Sequence, residues 1–289
     1  VPELPEVETV RRGLAPAMMN VQIDRVEQRR LDLRFPLPPN FSARLSGQTI
    51  RDLRRRAKYL IAEMSNGESL VMHLGMSGSF RVDTHKPGLF HHRRQHAAAH
   101  DHIVFHLSTG MRITYNDPRR FGFMMLIPTP ELNTHPYFAK LGVEPLSKDL
   151  DANFLAQAFQ SKKTSIKSAL LDQYLIAGLG NIYVCEALFE ARLSPLAVAG
   201  DLVLITGAPS KKLMRLPPAI KDVLQRALLA GGSSLRDHRQ TNGALGYFQH
   251  HFKVYDREGS ACRRSACSGI ISRIRQAGRS TFYCPRCQK

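Results

Sequence analysis

A proline and two carboxylates stand at the start of this chain, Pro2, Glu3 and Glu6, in the run Val-Pro-Glu-Leu-Pro-Glu. A terminal proline is a secondary amine. With an α-amine pKa of about 7.7 to 8.0 against about 10.4 for lysine, roughly a tenth of it is free base at pH 7, a several-hundredfold advantage for a nucleophile. Glu3 adjoins it and is placed to move protons. The same residues also make an ordinary first helical turn, where proline and glutamate are both favoured. Val1 precedes Pro2, and an acylated proline nitrogen is a tertiary amide that cannot attack. The amine chemistry therefore requires that Val1 be absent, as expected if a GUG start codon has been read as valine and the initiator is removed.

A second set of reactive atoms lies at the other end. Cys262-x4-Cys267 and Cys284-x2-Cys287 supply four thiolates in two close pairs, while Cys185 stands apart in an apolar helical pattern and reads as a core residue. Four sulfurs so spaced suit tetrahedral Zn²⁺, one ion per chain, and so short a segment depends on the metal to fold. With every position filled by protein, such a zinc is structural.

Two further clusters have the residue types for binding a polyanion. Ile176-Ala-Gly-Leu-Gly-Asn181-Ile-Tyr puts two glycines before a helical pattern, where backbone amides hold phosphate, although Asn181 is equally a common N-cap. Asp117-Pro-Arg119-Arg120-Phe121-Gly122 joins cations to an aromatic at a turn. It reads either as a tight turn with solvated arginines or as a wedge that enters a base stack. His100 and His102 would share one strand face, a spacing open to a metal pair, but no carboxylate or third histidine at fixed spacing accompanies them.

The elements that must carry these residues follow from periodicity. Leu4, Val7, Val10 and Leu14 recur at helical spacing until Pro16 ends the pattern. From about residue 21 to 128 the apolar runs are short and often β-branched, with turns at Asn66-Gly67 and Thr109-Gly110, which predicts a β-sandwich or barrel. Residues 83–102 read as a long basic surface loop and 128–150 as a proline-containing linker. Ile220, Val223, Leu224, Ala227 and Leu228 then form one helical face ended by Gly231-Gly232, so a helical second domain is expected. Residues 233–250 are long and polar enough for a functional loop.

Lys and Arg number 41 against 24 Asp and Glu, a formal charge of +17, far more than the roughly 2 to 8 that solubility needs. Nucleic acid is the expected partner. No apolar run approaches a membrane span, and the acidic start lacks the features of a signal peptide, so the expectation is a cytoplasmic, nucleoid-associated monomer with no membrane partner.

Taken in order, PELPEVETVRRGL at 2–14, RRAKYL at 55–60, HLGMSGS at 73–79, DPRRFG at 117–122, LGVEPL at 141–146, GLGNIY at 178–183, GYF at 246–248 and GRSTFYCPRCQ at 278–288 resemble the formamidopyrimidine-DNA glycosylase family over essentially the whole chain. The resemblance implies a multi-domain α+β fold: a catalytic β-sandwich with flanking helices over 1–130, a linker over 131–150, a helix-two-turn-helix domain with a lesion-capping loop over 151–250, and a zinc-finger hairpin over 251–289. It implies a glycosylase and abasic-site lyase acting on duplex DNA that contains oxidised purines or abasic sites. By the same resemblance Pro2 attacks the sugar, Glu3 protonates the ring oxygen, Lys58 assists β-elimination and Arg279 serves phosphate contact and δ-elimination. His100, Arg119, Lys163 and Asn181 match DNA contacts, and Met76, Arg119 and Phe121 match the residues that fill the gap left by a flipped base. Cys262, Cys267, Cys284 and Cys287 match the zinc ligands, with x4 where x2 is familiar in the first pair. The segment 233–246 resembles the loop that closes over the base. The sister family for oxidised pyrimidines, endonuclease VIII, usually starts PEGPE, so Leu4 and the long 233–246 segment favour the purine enzyme. A zinc-containing DNA-binding protein with a blocked Pro2 is the non-catalytic alternative.

Overall fold

The computed structural model of the chain describes residues 2–83, 98–233 and 247–289. Its contacts divide into two units, one of residues 1–139 with 230–247 and one of residues 140–229 with 248–289. Among the described residues no helix is long and apolar enough to cross a membrane.

The first unit begins with α1 (Leu4–Met18), whose Leu4, Val7, Val10 and Leu14 are buried as their spacing predicts. Glu3 is its N-cap and forms a capping box with Glu6, which satisfies amides that a helix start leaves unpaired. The helix does not stop at Pro16. Two more residues follow, because a proline in the last turn forfeits one hydrogen bond and its fixed φ is already helical. The chain continues through β1 (Ile23–Gln28), α2 (Phe41–Leu45), β2 (Ile50–Arg56), β3 (Tyr59–Met64), β4 (Glu68–His73), β5 (Ser79–Asp83), β6 (Asp101–Leu107), β7 (Arg112–Asn116), β8 (Phe123–Pro128) and α3 (Pro136–Ala139).

These strands form two antiparallel four-stranded sheets, ordered β1-β6-β7-β5 and β2-β3-β4-β8. One apolar core joins them to α1: Val10 and Leu14 belong to the same buried cluster as Leu53, Leu60 and Met72 of one sheet and Ile103, Phe105 and Ile113 of the other. The sandwich read from the short β-branched runs is therefore present. The predicted turns are there as well, with Gly67 (φ +82°) and Gly110 (φ +81°) supplying the left-handed residue that each requires.

The second unit contains α4 (Ala152–Phe159), α5 (Ile166–Leu170), α6 (Asn181–Glu190), α7 (Leu216–Leu229) and the hairpin of β9 (Ser272–Gln276) and β10 (Arg279–Tyr283). Asp151 caps α4 by accepting from the Phe154 amide (2.7 Å), and Ser165 caps α5. In α7 the predicted face is buried at Ile220, Val223, Leu224 and Ala227, and Leu228 is half-buried. The chain leaves α7 through Gly231 and Gly232, at φ +71° and +78°.

Candidate active site and metal centre

Pro2 and Glu3 are both buried at the start of α1. Beneath them the Glu6 carboxylate, 1% exposed, binds in two directions. One oxygen accepts from the Glu3 amide (2.9 Å), and the other accepts from the amide and hydroxyl of Ser233 (2.8 and 2.9 Å). A single side chain thus fixes the backbone beside Pro2 and the residue that opens the 233–246 segment. Gly232 lies against it, where a Cβ would stand 3.1 Å from the carboxylate at φ +78°. Residues 234–246, expected to close over a base, lie outside the described residues, as do 84–97 of the basic loop and Val1.

The other predicted residues of this unit sit on turns between strands. Lys58 occupies the two-residue turn from β2 to β3, where Ala57 is left-handed (φ +52°) and its carbonyl accepts from the Arg55 guanidinium (2.9 Å). Next to it Tyr59 pairs with His73, and His73 with Phe123, across β3, β4 and β8. The His73 ring stacks on Phe123 (5.1 Å between centroids, 10° between planes), and its Nδ1 accepts from the Gly75 amide (3.0 Å). Burial, then the charges of Lys58 and Arg34, lower the His73 pKa to about 4. The ring is neutral at pH 7 and its one proton sits on Nε2, which makes it a hydrogen-bond donor without a charge.

Met76, Arg119 and Phe121 line one cleft of about 630 Å³ together with Arg34, His73 and Arg120. The structure brings the three gap-filling candidates together. Phe121 is 42% exposed, and the Arg119 guanidinium lies over its ring at 4.8 Å from the centroid. An apolar ring flanked by cations in an open cleft is suited to a base stack and its phosphates. Arg34 and His73 escaped sequence reasoning: His73 lay within the HLGMSGS motif without being singled out, and nothing marks Arg34 until the fold turns it toward the cleft.

His100 requires a correction. It lies in a short 3-10 turn (Ala98–His100) before β6, not on the strand, so it shares no strand face with His102. The pairing of β6 is irregular between Asp101 and Ile103, and the two imidazoles stand 6.4 Å apart at 69°. His102 is buried, with its Nε2 2.9 Å from the Asp117 carbonyl, so it serves the core. The His100 carbonyl accepts from the Asp117 amide (3.1 Å), which sets His100 beside the turn that carries Arg119.

In the second unit Lys163 is exposed on a fixed backbone: the carbonyl of Lys162 accepts from the Gly200 amide and that of Thr164 from the Ala199 amide, each at 2.9 Å. Asn181 is the first residue of α6, and Gly180, not Asn181, is the N-cap. The Asn181 side chain donates to the Ser280 carbonyl (2.9 Å). Lys167, 1% exposed, donates to the Thr281 hydroxyl (2.6 Å) and reaches the same Ser280 carbonyl at 3.4 Å. These bonds fix the strand that carries Arg279. Arg279 itself is exposed at the tip of the β9–β10 hairpin, whose turn residues Ala277 and Gly278 both have positive φ, and it lines a cleft with Arg273, Arg275 and Glu258.

The four predicted cysteines converge, with all Sγ atoms within 4.8 Å of one another. Cys262 and Cys287 are 3.9 Å apart and Cys267 and Cys284 are 3.8 Å apart, close to the roughly 3.8 Å between sulfurs that tetrahedral zinc at about 2.3 Å demands. Gly269 is a condition of that approach, since a Cβ there would stand 2.5 Å from the Cys284 sulfur. The donor set fits one structural Zn²⁺. The module is anchored by Glu186 of α6, a buried carboxylate that accepts from the amides of Lys253, Val254 and Tyr255 (2.9, 2.9 and 2.8 Å). Burial pushes its pKa up, and the three amides partly offset that. Cys185 packs in the adjoining apolar cluster, as its helical pattern predicts.

Comparison with known proteins bears on all of these parts. The formamidopyrimidine-DNA glycosylase N-terminal domain matches residues 1–124, the H2TH domain of the same family residues 141–239, and the zinc finger found in FPG and IleRS residues 259–289. The formamidopyrimidine-DNA glycosylases of Rhodopseudomonas palustris (strain BisB18) and Beijerinckia indica subsp. indica are 58% and 59% identical to it, each over 100% of both chains. Among solved structures it is similar to the MutM (Fpg) protein of Thermus thermophilus (TM-score 0.82, 37% identity, 99% of this chain and 98% of that one). It is also similar to Lactococcus lactis Fpg in complex with DNA containing an abasic site (TM-score 0.83, 33% identity, 100% of both chains). With full-length identity of this order and all three domains matched, the chain belongs to the formamidopyrimidine-DNA glycosylase family, base-excision repair enzymes that release damaged bases from DNA and act as abasic-site lyases.

Proposed function

We propose that this chain releases oxidised purines, 8-oxoguanine and formamidopyrimidines, from duplex DNA and cuts the strand by β,δ-elimination. The observation that carries the reading is the cleft in which exposed Phe121 stands with Met76 and Arg119 among further cations. A base displaced from the stack leaves a gap that needs an apolar filler and its phosphates a positive wall.

In the proposed reaction the Pro2 nitrogen attacks C1′ of the damaged nucleotide and the base leaves with the bonding electrons. The nitrogen then loses its proton and an iminium forms as the sugar ring opens. Glu3 delivers a proton to the ring oxygen at that step. Lys58 assists loss of the 2′ proton and departure of the 3′ phosphate, and Arg279 contacts the phosphate that leaves in the δ step. His100, Lys163 and Asn181 hold the DNA backbone. A zinc held by Cys262, Cys267, Cys284 and Cys287 would supply no chemistry to these steps and would keep the Arg279 hairpin folded.

A mutant of Lactococcus lactis Fpg has been solved with DNA containing Fapy-dG, and the wild type with DNA containing an oxidised pyrimidine. The first supports the purine reading, and the second favours oxidised pyrimidines as a further substrate class here. The test is single-turnover excision from duplexes bearing each lesion, by wild type, Phe121→Ala and Met76→Ala, beside binding to undamaged duplex. Both variants are expected to lose excision more than binding, because undamaged DNA need not be unstacked. Equal losses in the two assays would make the turn merely structural.

A further inference from the structure

The two turns that carry Met76, Arg119 and Phe121 are distant in sequence and meet over one buried side chain. Asp117 is fully buried at 0% exposure. One of its oxygens accepts from the Ser77 hydroxyl (2.5 Å), across forty residues of chain, and the other accepts from the Gly122 amide (2.8 Å) and the Tyr115 hydroxyl (3.2 Å). Ser77 closes the circuit, because its hydroxyl oxygen accepts from the Arg119 amide (3.2 Å). The backbone of Asp117 is held as well, its amide by the His100 carbonyl and its carbonyl by His102.

The turns also touch without side chains between them. A Cβ on Gly75 would stand 2.3 Å from the Phe121 carbonyl carbon, and one on Gly122 would stand 1.9 Å from the Tyr115 hydroxyl and 2.7 Å from the His73 carbonyl oxygen. Contact of this kind leaves the turns no slack while the carboxylate holds. Burial, and then Asp117 itself, keep the Tyr115 phenol protonated and thus a donor.

We propose that Asp117, through Ser77 and the Gly122 amide, is the positioning residue that makes the Met76 turn and the Arg119–Phe121 turn one rigid wedge. The inference rests on the wedge reading above. A wedge that must push a base out of its stack works only if it is ordered beforehand, since any freedom it keeps is lost at the moment of insertion. Asp117 is sealed from DNA and acts only through the turns. Asparagine in its place keeps an acceptor for Ser77 but presents an NH₂ to two donors, so the Gly122 side of the tie is lost.

The experiment compares full-length wild type, Asp117→Asn, Ser77→Ala and Phe121→Ala. Three quantities are read: single-turnover release of 8-oxoguanine from duplex, the fluorescence rise of 2-aminopurine placed beside the lesion, and cleavage of single-stranded DNA that already carries an abasic site and needs no base displaced. Asp117→Asn is expected to lose excision by about tenfold or more and to lose the fluorescence rise, and Ser77→Ala, the milder change, to follow in the same direction. Single-strand cleavage is expected to stay within about twofold of wild type in both. If Phe121→Ala loses excision while Asp117→Asn and Ser77→Ala excise normally, the wedge stands and the tie is refuted. If single-strand cleavage falls as far as excision in both tie variants, Asp117 supports the whole site and not the wedge. If Phe121→Ala excises at the wild-type rate, the wedge reading fails and this inference with it.

Discussion

Arg119 and Arg279 are both exposed cations at strand connections, Arg119 on the turn that passes from β7 of one sheet to β8 of the other and Arg279 beside the tip of the β9–β10 hairpin, yet what lies beneath them differs. Under Arg119 is the continuous core of the sandwich, running from Val10 of α1 through Leu60 and Met72 to Phe105 and Ile113. Under Arg279 are two five-residue strands and a small cluster of Phe189, Val254, Ile271 and Phe282 with two cysteines. Where the core is large, polar groups such as Asp117 only aim the turns. Where it is small, polar groups and sulfur have to hold the turn together: Glu186 binds three consecutive amides, Lys167 and Asn181 share the Ser280 carbonyl, and four cysteines meet at one point. Polar anchors in the two regions should therefore differ in what their loss does.

The largest effect is expected from removing the metal. Structural zinc contributes about 10 to 16 kcal/mol of apparent binding energy in small modules, more than residues 259–289 can replace. Chelation, or Cys284→Ser, should abolish amide protection in that segment and weaken DNA binding while the sandwich strands keep theirs. Hydrogen exchange with zinc analysis checks this, and a zinc-free protein with intact protection across 259–289 would end the distinction drawn between the two regions.

Next in size is Glu186→Ala. It strands three amides, that of Val254 buried and those of Lys253 and Tyr255 partly so, and a loss on the order of 3 kcal/mol is expected, confined to the unit that contains α6. Glu186→Gln keeps an acceptor and should cost less. Because burial raises the Glu186 pKa, the folded protein binds that proton more tightly than the unfolded one. The stability it adds is present below the ordinary carboxylate range and declines as pH rises through the raised value, so the difference between wild type and Glu186→Gln should shrink as pH rises. Denaturant unfolding at each pH reads it; a difference that grows with pH contradicts the assignment.

A smaller effect belongs to His73 in the sandwich. Its pKa of about 4 lies below the unfolded value of about 6.5, so the unfolded chain binds the proton first and stability falls as pH drops between those values. The expected loss is about 1 kcal/mol between pH 6.5 and 5.5. Imidazole resonances should hold the Nε2–H tautomer without titrating above pH 5, and a midpoint near 6.5 would show the ring to be exposed to solvent.

Much of this was legible in the sequence because it depends on near neighbours. Four cysteines in two short spacings, Gly231-Gly232 after an apolar face, and Asn66-Gly67 between strands each carry their own geometry. The N-terminal motif put Pro2 and Glu3 at the start of an apolar helical pattern, and both are buried at the start of α1. What escaped depends on partners far along the chain: Glu6 reaches Ser233 across 227 positions, Lys167 reaches Thr281 across 114, and Arg34 meets the cleft only when the sheets are formed. A signal existed for Lys167, and for Glu186, whose amide partners lie 67 to 69 positions away. Glu186 in Ile-Tyr-Val-Cys-Glu-Ala-Leu-Phe and Lys167 in Ser-Ile-Lys-Ser-Ala-Leu are charges within apolar runs, and a charge that must be buried announces a partner. Pro16 and His100 were misplaced because a last helical turn tolerates proline, and because β6 begins one residue after His100.

The proposal that Pro2 is the nucleophile is open to reductive trapping. Borohydride should link the protein covalently to duplex DNA containing 8-oxoguanine, and peptide mapping should find the adduct on a peptide that begins at Pro2, from a chain whose intact mass lacks Val1. Pro2→Gly keeps an α-amine but loses the ring that directs it, so weak trapping at most is expected. A chain shown by mass to retain Val1 that still excises and traps normally would contradict the claim, because its Pro2 nitrogen is an amide, and a lysine, first Lys58, would then have to form the adduct.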